Sequence, residues 1–479
     1  MKSVLIIVFD GLQPSQITEQ HMPNLSGLAS KGVTFQYNHN VYPTVTRTNV
    51  ASLVTGRNPG AHGLIGNTLV MRDFDPSRLI HALYDQLSRV ALKTNVLLVP
   101  TLADILHKNG MEYIALGVGT SGNAYLHNPN IEIGGGATIH PEFCLPYNLH
   151  GYIEKEYGPW PKGGFTDIKK IYHGVDIMID YVLNQRNPEV ALIWFSEPDH
   201  TQHLVGVGAK ESINVLSKVD EQLGKLLQWI ERNERDGDTD VIVLSDHGYS
   251  TISKVITVED IARELTRTMP RLSRDLIMAP NGGSILFYIN DRHDNSVDKL
   301  AGWLMKQPWC GSIIVSDSAG QLDGTLPASL IGLEGPRTPE LIMSFKWDSL
   351  ANDEGIPGRV YSTGLSVGQG QHGSMSLHET NNVLIANGPS FKKSLKLSSP
   401  SGNIDVAPTV LEILGINHDF NMDGRVLFEA LESHQCDIQW LNESYFANRD
   451  MQGLHYSQEI KMSRVHATCY LDQGQGFHN

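Results

Sequence analysis

Five short, unbroken apolar runs constrain the fold of this 479-residue chain more than any other feature. They cover residues 4–9, 113–116, 190–195, 240–244 and 382–386. A strand that is buried on both faces of a parallel sheet has such a continuous apolar run, without alternating polar residues. Amphipathic helical patterns lie between the runs, the longest over residues 212–232. The sequence therefore predicts an α/β fold with a mostly parallel central sheet flanked by helices on both faces.

Two shorter helices are also predicted between these strands. Asn24 is the expected N-cap of the first, and Gly32 its C-cap. The second covers residues 102–108 and ends before an Asn-Gly pair.

Other parts of the chain predict additions to this core. Residues 251–365 contain shorter apolar runs between glycine-rich turns, which favours a smaller, inserted α+β cap. Residues 431–479 are polar and are expected to form an irregular C-terminal extension. We therefore predict a catalytic core over residues 1–250 and 366–430, with insertions at 68–100 and 121–170.

Composition excludes several classes of protein. The 37 basic and 52 acidic residues give a net charge of -15, which argues against a nucleic-acid polymer as the partner. The four cysteines are widely spaced and without a CxxC pair, so we expect free thiols in a reducing compartment. The apolar run at residues 4–9 is too short for a signal peptide or a membrane span. These observations predict a cytoplasmic protein without a membrane partner.

Carboxylate and imidazole side chains lie just past the C-terminal ends of three of the apolar runs. Asp10 follows the first, Asp199 and His203 follow the third, and Asp246 and His247 follow the fourth. In open α/β sheets, ligands bind at the carboxyl ends of the strands. The sequence therefore predicts that these side chains meet at one edge of the sheet.

These residue types are suited to binding two metal ions. Zinc prefers imidazole and carboxylate ligands, and paired catalytic metals lie roughly 4 Å apart. We predict one site from Asp10, Thr46, Asp246 and His247, and a second from Asp199, His203 and His372. Two Zn²⁺ are the expected ions, and Mn²⁺ or iron would also suit such oxygen and nitrogen ligands. His378, six residues later, is the competing ligand for the position given to His372.

A nucleophile is expected between the two metal ions. Thr44, Thr46 and Thr48 precede an apolar segment that begins a helix. Metal coordination lowers the pKa of a hydroxyl, and a helix N-terminus favours phosphate oxygens. The local pattern alone does not choose among the three threonines.

Several motifs occur in an order that indicates a known family. They are Phe9-Asp10-Gly11, Met22-Pro23-Asn24-Leu25, Tyr42-Pro43-Thr44-Val45-Thr46, Leu53-Val54-Thr55-Gly56, His62-Gly63-Leu64-Ile65-Gly66-Asn67, Glu197-Pro198-Asp199 with His203, Ser245-Asp246-His247-Gly248, Gln371-His372-Gly373-Ser374 and Asn403-Ile404-Asp405-Val406-Ala407-Pro408-Thr409. With them the chain resembles the alkaline phosphatase superfamily, and within it the nucleotide pyrophosphatase/phosphodiesterase branch, over residues 1 to 416.

The resemblance implies a reaction and roles for particular residues. It implies that Thr46 is the nucleophile and forms a phosphothreonine intermediate at a two-zinc site. It also implies that Asn67 donates a hydrogen bond to a phosphoryl oxygen. The family motif Gln371-His372-Gly373-Ser374 favours His372 over His378 as the metal ligand. The expected reaction is hydrolysis of a phosphodiester or pyrophosphate bond in a small phosphorylated substrate.

Arg47 departs from the family pattern, because nucleotide-binding members usually carry an aromatic residue directly after the nucleophile. A guanidinium there would bind a carboxylate or a second phosphate. Phosphonoacetate hydrolases share the metal ligands and have a polar residue at this position, so hydrolysis of a phosphonate C–P bond is the alternative. Arg57 is a further candidate for the pocket, whereas His39 is expected to be a surface loop residue. A catalytically idle metal-binding scaffold and a phosphomutase are two other hypotheses, and homo-oligomerisation is left open.

Overall fold

A nine-stranded sheet forms the centre of the molecule in the computed structural model, which describes residues 2–290, 295–417 and 420–478. From one edge to the other, its strands are Leu395–Leu397, Val33–Phe35, Leu384–Asn387, Thr239–Leu244, Ser3–Phe9, Val190–Phe195, Tyr113–Gly117, Ala137–His140 and Phe143–Leu145. Each of the five predicted apolar runs contributes a strand. The strand Leu384–Asn387 is antiparallel to its two neighbours, and the four other predicted strands are parallel to one another. The predicted α/β fold with a mostly parallel sheet is confirmed.

Helices cover both faces of this sheet because successive side chains of a strand point to opposite sides. Val4, Ile6 and Val8 pack with one group of helices, and Leu5 and Ile7 pack with the other. The first group comprises Thr46–Thr55, Tyr84–Ala91, Leu102–Lys108, Ser121–Leu126 and Val406–Ile413. The second comprises Pro23–Lys31, Asn148–Tyr157, Ile168–Ile177 with its π-helical continuation Met178–Arg186, and Lys210–Arg232.

The ends of the first predicted helix differ in part from expectation. The helix begins at Pro23 and ends before Gly32, which is the C-cap as predicted. Asn24 is not the N-cap, because it lies in the first turn and donates its backbone and side-chain N–H groups to the carboxylate of Asp220, both over 2.9 Å. This contact joins the helix to the neighbouring helix Lys210–Arg232.

Residues 251–365 contain a five-stranded, mostly antiparallel sheet. Its strands are, in spatial order, Leu276–Pro280, Ser284–Ile289, Leu341–Phe345, Cys310–Val315 and Leu326–Pro327. The helices Val258–Thr268 and Ser296–Leu304 pack on one face of this sheet, and the helix Pro270–Asp275 precedes its first strand. Side chains of the other face, including Leu286 and Ile342, pack with the main core. The domain boundaries given above stay predictions.

Smaller elements connect the core to this region. One four-stranded sheet contains Trp347–Ala351, Pro357–Ser362, Ser250–Val255 and Gly370–Gln371. A three-stranded sheet contains Asn381–Asn382, Asn38–His39 and Ser401–Gly402, and a hairpin contains Thr68–Val70 and Leu79–His81. The remaining helices are short: Pro59–His62, Ile131–Gly134, Asp199–Val205 and Leu377–Thr380, and the 3₁₀ turns Pro14–Gln16, Asp317–Ala319, Ala328–Ile331, Asn403–Asp405 and Phe428–Ala430.

The C-terminal extension is regular, so the expectation of an irregular segment is wrong. Its strands Leu441–Met451, Leu454–Val465 and Thr468–His478 form an antiparallel sheet, which we call the C-terminal sheet. Tyr456, Ile460 and Met462 alternate along the middle strand and are buried against the rest of the molecule. Period-two alternation with polar residues between is typical of a half-buried strand, and it explains why the segment is polar yet ordered.

All four cysteines are unpaired, as predicted, and the cytoplasmic location stays a prediction. Within the described ranges, no helix has both the length and the apolar character needed to cross a membrane.

Candidate active site

Three adjacent parallel strands deliver acidic side chains to one edge of the central sheet. The strand Ser3–Phe9 lies between Thr239–Leu244 and Val190–Phe195. Asp10 follows the central strand directly, Asp246 follows one neighbour, and Asp199 begins the short helix after the other. The structure therefore brings together the carboxylates that the sequence placed at this edge.

Asp199, His203 and His372 form the first cluster of possible metal ligands. The Oδ1 atom of Asp199 lies 3.3 Å from Nε2 of His203 and 3.4 Å from Nε2 of His372. Asp199 and His203 are four residues apart in the helix Asp199–Val205, so they lie on one helix face. His372 comes from the loop after Gly370–Gln371, whereas His378 lies outside the cluster and contacts Ser349.

Asp10, Asp246 and His247 form the second cluster beside the first. Nε2 of His247 lies 3.5 Å from Oδ1 of Asp10 and 3.2 Å from Oδ2 of Asp246. Asp199 is shared between the clusters, because its carboxylate also lies within 4.8 Å of the ligand atoms of Asp10 and His247. The two clusters are therefore contiguous, which sequence spacing alone could not establish.

Backbone carbonyls orient all three imidazoles. The Nδ1 atoms of His203, His247 and His372 donate to the carbonyl oxygens of Gly370, Gly248 and Thr44, over 3.0, 3.0 and 2.7 Å respectively. With Nδ1 engaged in this way, Nε2 is the ring atom that faces the carboxylates. Metal-binding histidines in proteins are commonly fixed in this way.

One oxygen of each carboxylate in the second cluster has no hydrogen-bond partner among the described residues. Asp10 is 4% exposed and Asp246 is 1% exposed, and Oδ1 of Asp10 and Oδ2 of Asp246 accept no hydrogen bond from the described residues. Burial and the neighbouring charges of Asp246 and Asp199 raise the pKa of Asp10 well above its ordinary value. Burial also raises the pKa of Asp246. Buried carboxylates in proteins are normally paired with a positive charge or bound to a metal ion. The unpartnered oxygens of Asp10 and Asp246 therefore fit a site for metal ions.

The imidazoles create a different charge balance in the first cluster. Although burial opposes ionisation, His203 and His372 hold the pKa of Asp199 well below its ordinary value. Burial, and then the charge of His372, lowers the pKa of His247. A neutral His247 beside ionised Asp199 supplies the donor types that zinc prefers.

Thr46 is the threonine that lies at these clusters. It is the first residue of the helix Thr46–Thr55, and its Oγ1 atom lies 3.3 Å from Nε2 of His247. Thr44 instead donates to Ser374 and Glu379, both over 3.0 Å, and the buried hydroxyl of Thr48 has no hydrogen-bond partner among the described residues. Of the three threonines, only Thr46 has its hydroxyl within hydrogen-bond distance of a candidate ligand.

Asn67 and Arg47 lie next to Thr46 in the wall of the cleft. The Oδ1 atom of Asn67 accepts the backbone N–H of Arg47 over 3.0 Å, which leaves the amide nitrogen of Asn67 as a donor. The guanidinium of Arg47 lies close enough to Asp10 and Asp199 to feel their charges, and its Nε atom is buried without a partner among the described residues. Burial lowers the pKa of Arg47 to about 10, so the side chain is charged at neutral pH.

The cleft above the clusters has a volume of about 680 Å³. Its walls also include Tyr84, Asp167, Lys170 and His200. The Nζ atom of Lys170 lies 2.8 Å from Oδ1 of Asp167, which neutralises this acidic side chain. A space of this size accommodates a small-molecule substrate.

Two aromatic residues support the ligands and were not anticipated from the sequence. Trp194 donates its indole N–H to Oδ2 of Asp10 over 2.9 Å, and Tyr249 donates its hydroxyl to Oδ1 of Asp199 over 2.7 Å. Trp194 lies within an apolar run, and Tyr249 lies two residues after His247 outside any motif. Only the position of Tyr249 beside a ligand motif could have suggested its role.

Two sequence-based interpretations of individual residues are wrong. Arg57 lies outside the cleft, where its Nε atom bonds Asp423 over 3.0 Å. His39 is not a surface loop residue, because it is 5% exposed and bonds the carbonyl of Ser401 and the carboxylate of Asp472. Both side chains serve contacts between distant segments, which local sequence does not reveal.

Comparison with known proteins agrees with this geometry. Residues 4–374 match the family described as type I phosphodiesterase/nucleotide pyrophosphatase. Bis(5'-adenosyl)-triphosphatase ENPP4 of Bos taurus is 24% identical over 417 residues, which cover 86% of this chain and 78% of the relative. Ectonucleotide pyrophosphatase/phosphodiesterase family member 7 of Mus musculus is 24% identical over 254 residues, 52% of this chain and 51% of that protein.

A solved structure shows the same fold. The inactive form of murine ectonucleotide pyrophosphatase/phosphodiesterase 5 in complex with AMP superimposes with a TM-score of 0.65 and 18% identity, covering 90% of this chain and 100% of that chain. Because the family match extends over most of the sequence, the protein belongs to the type I phosphodiesterase/nucleotide pyrophosphatase family and is an enzyme of the phosphoric diester hydrolase class.

Proposed function

We propose that the protein hydrolyses phosphodiester or pyrophosphate bonds of a small phosphorylated substrate, with Thr46 as the nucleophile. The observation that carries this proposal is the position of the Thr46 hydroxyl, 3.3 Å from His247 at the N-terminus of a helix. A helix N-terminus favours the negative charge of a phosphoryl group. The family match and the cleft volume support the same reaction and a small substrate.

Two divalent ions complete the proposed site, and zinc is the preferred ion. Asp10, Thr46, Asp246 and His247 would hold one ion, and Asp199, His203 and His372 would hold the other. When bound, such ions polarise the phosphoryl oxygens and stabilise charge on the attacking and leaving oxygens. Mn²⁺ or iron remain alternatives to zinc, since the donors are a mixture of carboxylate oxygens and imidazole nitrogens.

The chain's own residues have distinct parts in the proposed reaction. The Thr46 hydroxyl gives up its proton to solvent, and Oγ1 forms a bond to phosphorus while the bond from phosphorus to the leaving oxygen breaks. The free amide nitrogen of Asn67 donates to a non-bridging phosphoryl oxygen. Water then cleaves the phosphothreonine ester, which restores the Thr46 hydroxyl and releases the second product.

Arg47 is the proposed substrate-binding residue. Its guanidinium lies beside the reacting centre, and its Nε–H donates no hydrogen bond within the described residues, so it can bind an additional anionic group of the substrate. A second phosphate of a nucleotide pyrophosphate would supply such a group. The relatives include a bis(5'-adenosyl)-triphosphatase and a structure with bound AMP, which supports testing nucleotides first.

The carboxylate of a phosphonate such as phosphonoacetate would also suit Arg47, and this keeps C–P bond hydrolysis as the second candidate. Purified, zinc-loaded protein should be assayed with bis-nitrophenyl phosphate, a dinucleoside polyphosphate and phosphonoacetate. We expect turnover of at least one of the first two. Phosphate release from phosphonoacetate alone would overturn the phosphodiesterase proposal in favour of the alternative.

The role of Thr46 has its own test. After rapid acid quenching during turnover, mass spectrometry of peptides should find the phosphoryl adduct on Thr46. Thr46→Ala should abolish both the adduct and turnover, whereas the isosteric control Thr48→Val should retain them. Full turnover by Thr46→Ala would contradict the assignment.

A further inference from the structure

The outer strand of the C-terminal sheet, Leu441–Met451, has an open edge. It pairs with Leu454–Val465 on one side in a continuous register without a bulge. On its other side, its backbone groups have no hydrogen-bond partner within the described parts of the chain. The opposite edge of the sheet is engaged, since the backbone N–H of Gly474 donates to Met375 over 2.9 Å and its carbonyl accepts from Trp347 over 2.7 Å.

Apart from the charged residues Glu443, Arg449 and Asp450, this strand lacks the features that usually protect a sheet edge. Edge strands are typically short or carry lysine, proline or a bulge, because an unpaired edge is a template for another strand. The outer strand has eleven residues and contains neither lysine nor proline. At its centre, the side chain of Phe446 is 68% exposed.

The sequence of the outer strand is complementary to itself when two copies run antiparallel. Phe446 is the midpoint of Leu441–Met451, so a twofold axis at Phe446 gives the one register that pairs all eleven residues. That register places Phe446 opposite its own copy, Glu443 opposite Arg449, and Leu441 opposite Met451. No two like charges are opposed, and an aromatic pair across strands is stabilising. Within each copy, Glu443 bonds Arg464 over 2.9 Å and Arg449 bonds Asp298 over 2.7 Å.

Other twofold registers are less favourable. An axis at Tyr445 or Ala447 leaves residues at the strand ends unpaired and no longer places Glu443 opposite Arg449. With the axis at Phe446, residues on the exposed face of one strand lie opposite residues on the exposed face of the other. Exposed Ser444 and Asn448 lie opposite each other on the same face as Phe446, and Glu443 and Arg449 lie on the face that packs against the molecule.

We propose that two copies of this chain form a dimer by antiparallel pairing of their outer strands about Phe446, which creates a continuous six-stranded sheet. The pairing satisfies the open backbone edge and covers the exposed Phe446 side chains. Because edge pairing buries less surface than a standard interface, the dimer should dissociate on dilution. This inference does not depend on the proposed reaction.

Paired charge variants test both the dimer and its register. Ser444→Lys/Asn448→Glu places a lysine opposite a glutamate twice in the dimer, whereas Ser444→Lys/Asn448→Lys places lysine opposite lysine twice. Both variants carry the same lysine at an exposed position, and both positions lie outside the cleft. Circular dichroism and hydrolase activity serve as controls for folding.

Sedimentation velocity over a range of protein concentrations provides the readout. We expect reversible dimerisation of the parent chain, and a dissociation constant at least about tenfold higher for the Lys/Lys variant than for the Lys/Glu variant. A parent chain that stays monomeric at all concentrations would overturn the proposal. Equal dissociation constants for two folded variants would also overturn it, since the dimer would then use another surface or register.

Discussion

The Oγ1 atom of Thr46 and the Nε2 atom of His247 lie 3.3 Å apart, although 201 residues separate them in the chain. The contact joins the N-terminus of a helix to the carboxyl end of a central strand. It places a hydroxyl among three imidazoles and three carboxylates, and the proposed role of Thr46 as the nucleophile depends on this position.

Removing the metal ions should expose repulsion among the buried carboxylates. Asp246→Asn should therefore increase the free energy of unfolding of the metal-free protein, while it should weaken metal binding and abolish activity of the loaded protein. Oδ1 of Asp246 accepts from the backbone N–H groups of Gly11 and His247, which an asparagine oxygen can also do. The new amide nitrogen would replace the unpaired Oδ2. Urea unfolding with and without chelator measures both effects, and a less stable metal-free variant would contradict this account.

The metal-free protein should also lose stability as pH rises. The pKa values of Asp10 and Asp246 are raised by burial, so from about pH 4 upward the native state retains protons that the unfolded state releases. The free energy of unfolding then falls with increasing pH until these groups ionise in the native state. A flat profile from pH 4.5 to 8 in the presence of chelator would contradict the raised pKa values.

Tyr249→Phe should weaken metal binding without removing a ligand. The variant loses the 2.7 Å hydrogen bond from the Tyr249 hydroxyl to Asp199, and loss of such a supporting contact typically reduces metal affinity about 10- to 100-fold. Competition with a fluorescent zinc chelator measures the affinity. Tyr113→Phe is the matched control, because this buried hydroxyl contacts His127 instead of a ligand. Equal zinc affinities of the two variants would show that Tyr249 does not support the site.

His62 should contribute to acid sensitivity outside the active site. Burial, followed by the charges of Arg337 and Arg57, lowers the pKa of His62 to about 3. Between pH 6.5 and 3 the unfolded chain binds a proton at His62 and the native state does not. The free energy of unfolding therefore falls by up to about 1.4 kcal/mol for each unit by which the pH decreases. His62→Gln should flatten the pH dependence relative to the parent protein over this range. Acid release of metal affects both proteins equally, so the difference between their free energies of unfolding reports on His62 alone. Identical slopes of free energy against pH would contradict the prediction.

Arg47 should determine which substrates are preferred. Arg47→Phe should reduce kcat/KM most for substrates that carry an anionic group besides the reacting phosphoryl, and least for bis-nitrophenyl phosphate. Arg47→Lys should give an intermediate loss, because it keeps the charge but lacks the planar fork of donors. Steady-state kinetics with two substrates that differ only in the second anionic group gives the ratio of their kcat/KM values for each variant. A uniform loss across all substrates would indicate a structural role.

The sequence predicted the central strands and the residues at their carboxyl ends because both depend on local pattern. Asp10, Asp199 and Asp246 each follow an unbroken apolar run, and the family motifs supplied His372 and Asn67. Features that depend on long-range packing were missed. Asp199 is shared between two clusters, Tyr249 and Trp194 support carboxylates, and Arg57 turns away from the cleft. The C-terminal sheet was also missed, since its alternation of apolar and polar residues is weaker than the signal of a buried parallel strand.

The most direct test of the central claim is a crystal structure of the zinc-loaded protein with anomalous diffraction data at the zinc edge. We expect two anomalous peaks, one bound by Asp10, Asp246 and His247 with the Thr46 hydroxyl, and one bound by Asp199, His203 and His372. A Thr46 side chain turned away from both peaks, or the absence of metal from the two clusters in active protein, would contradict the account.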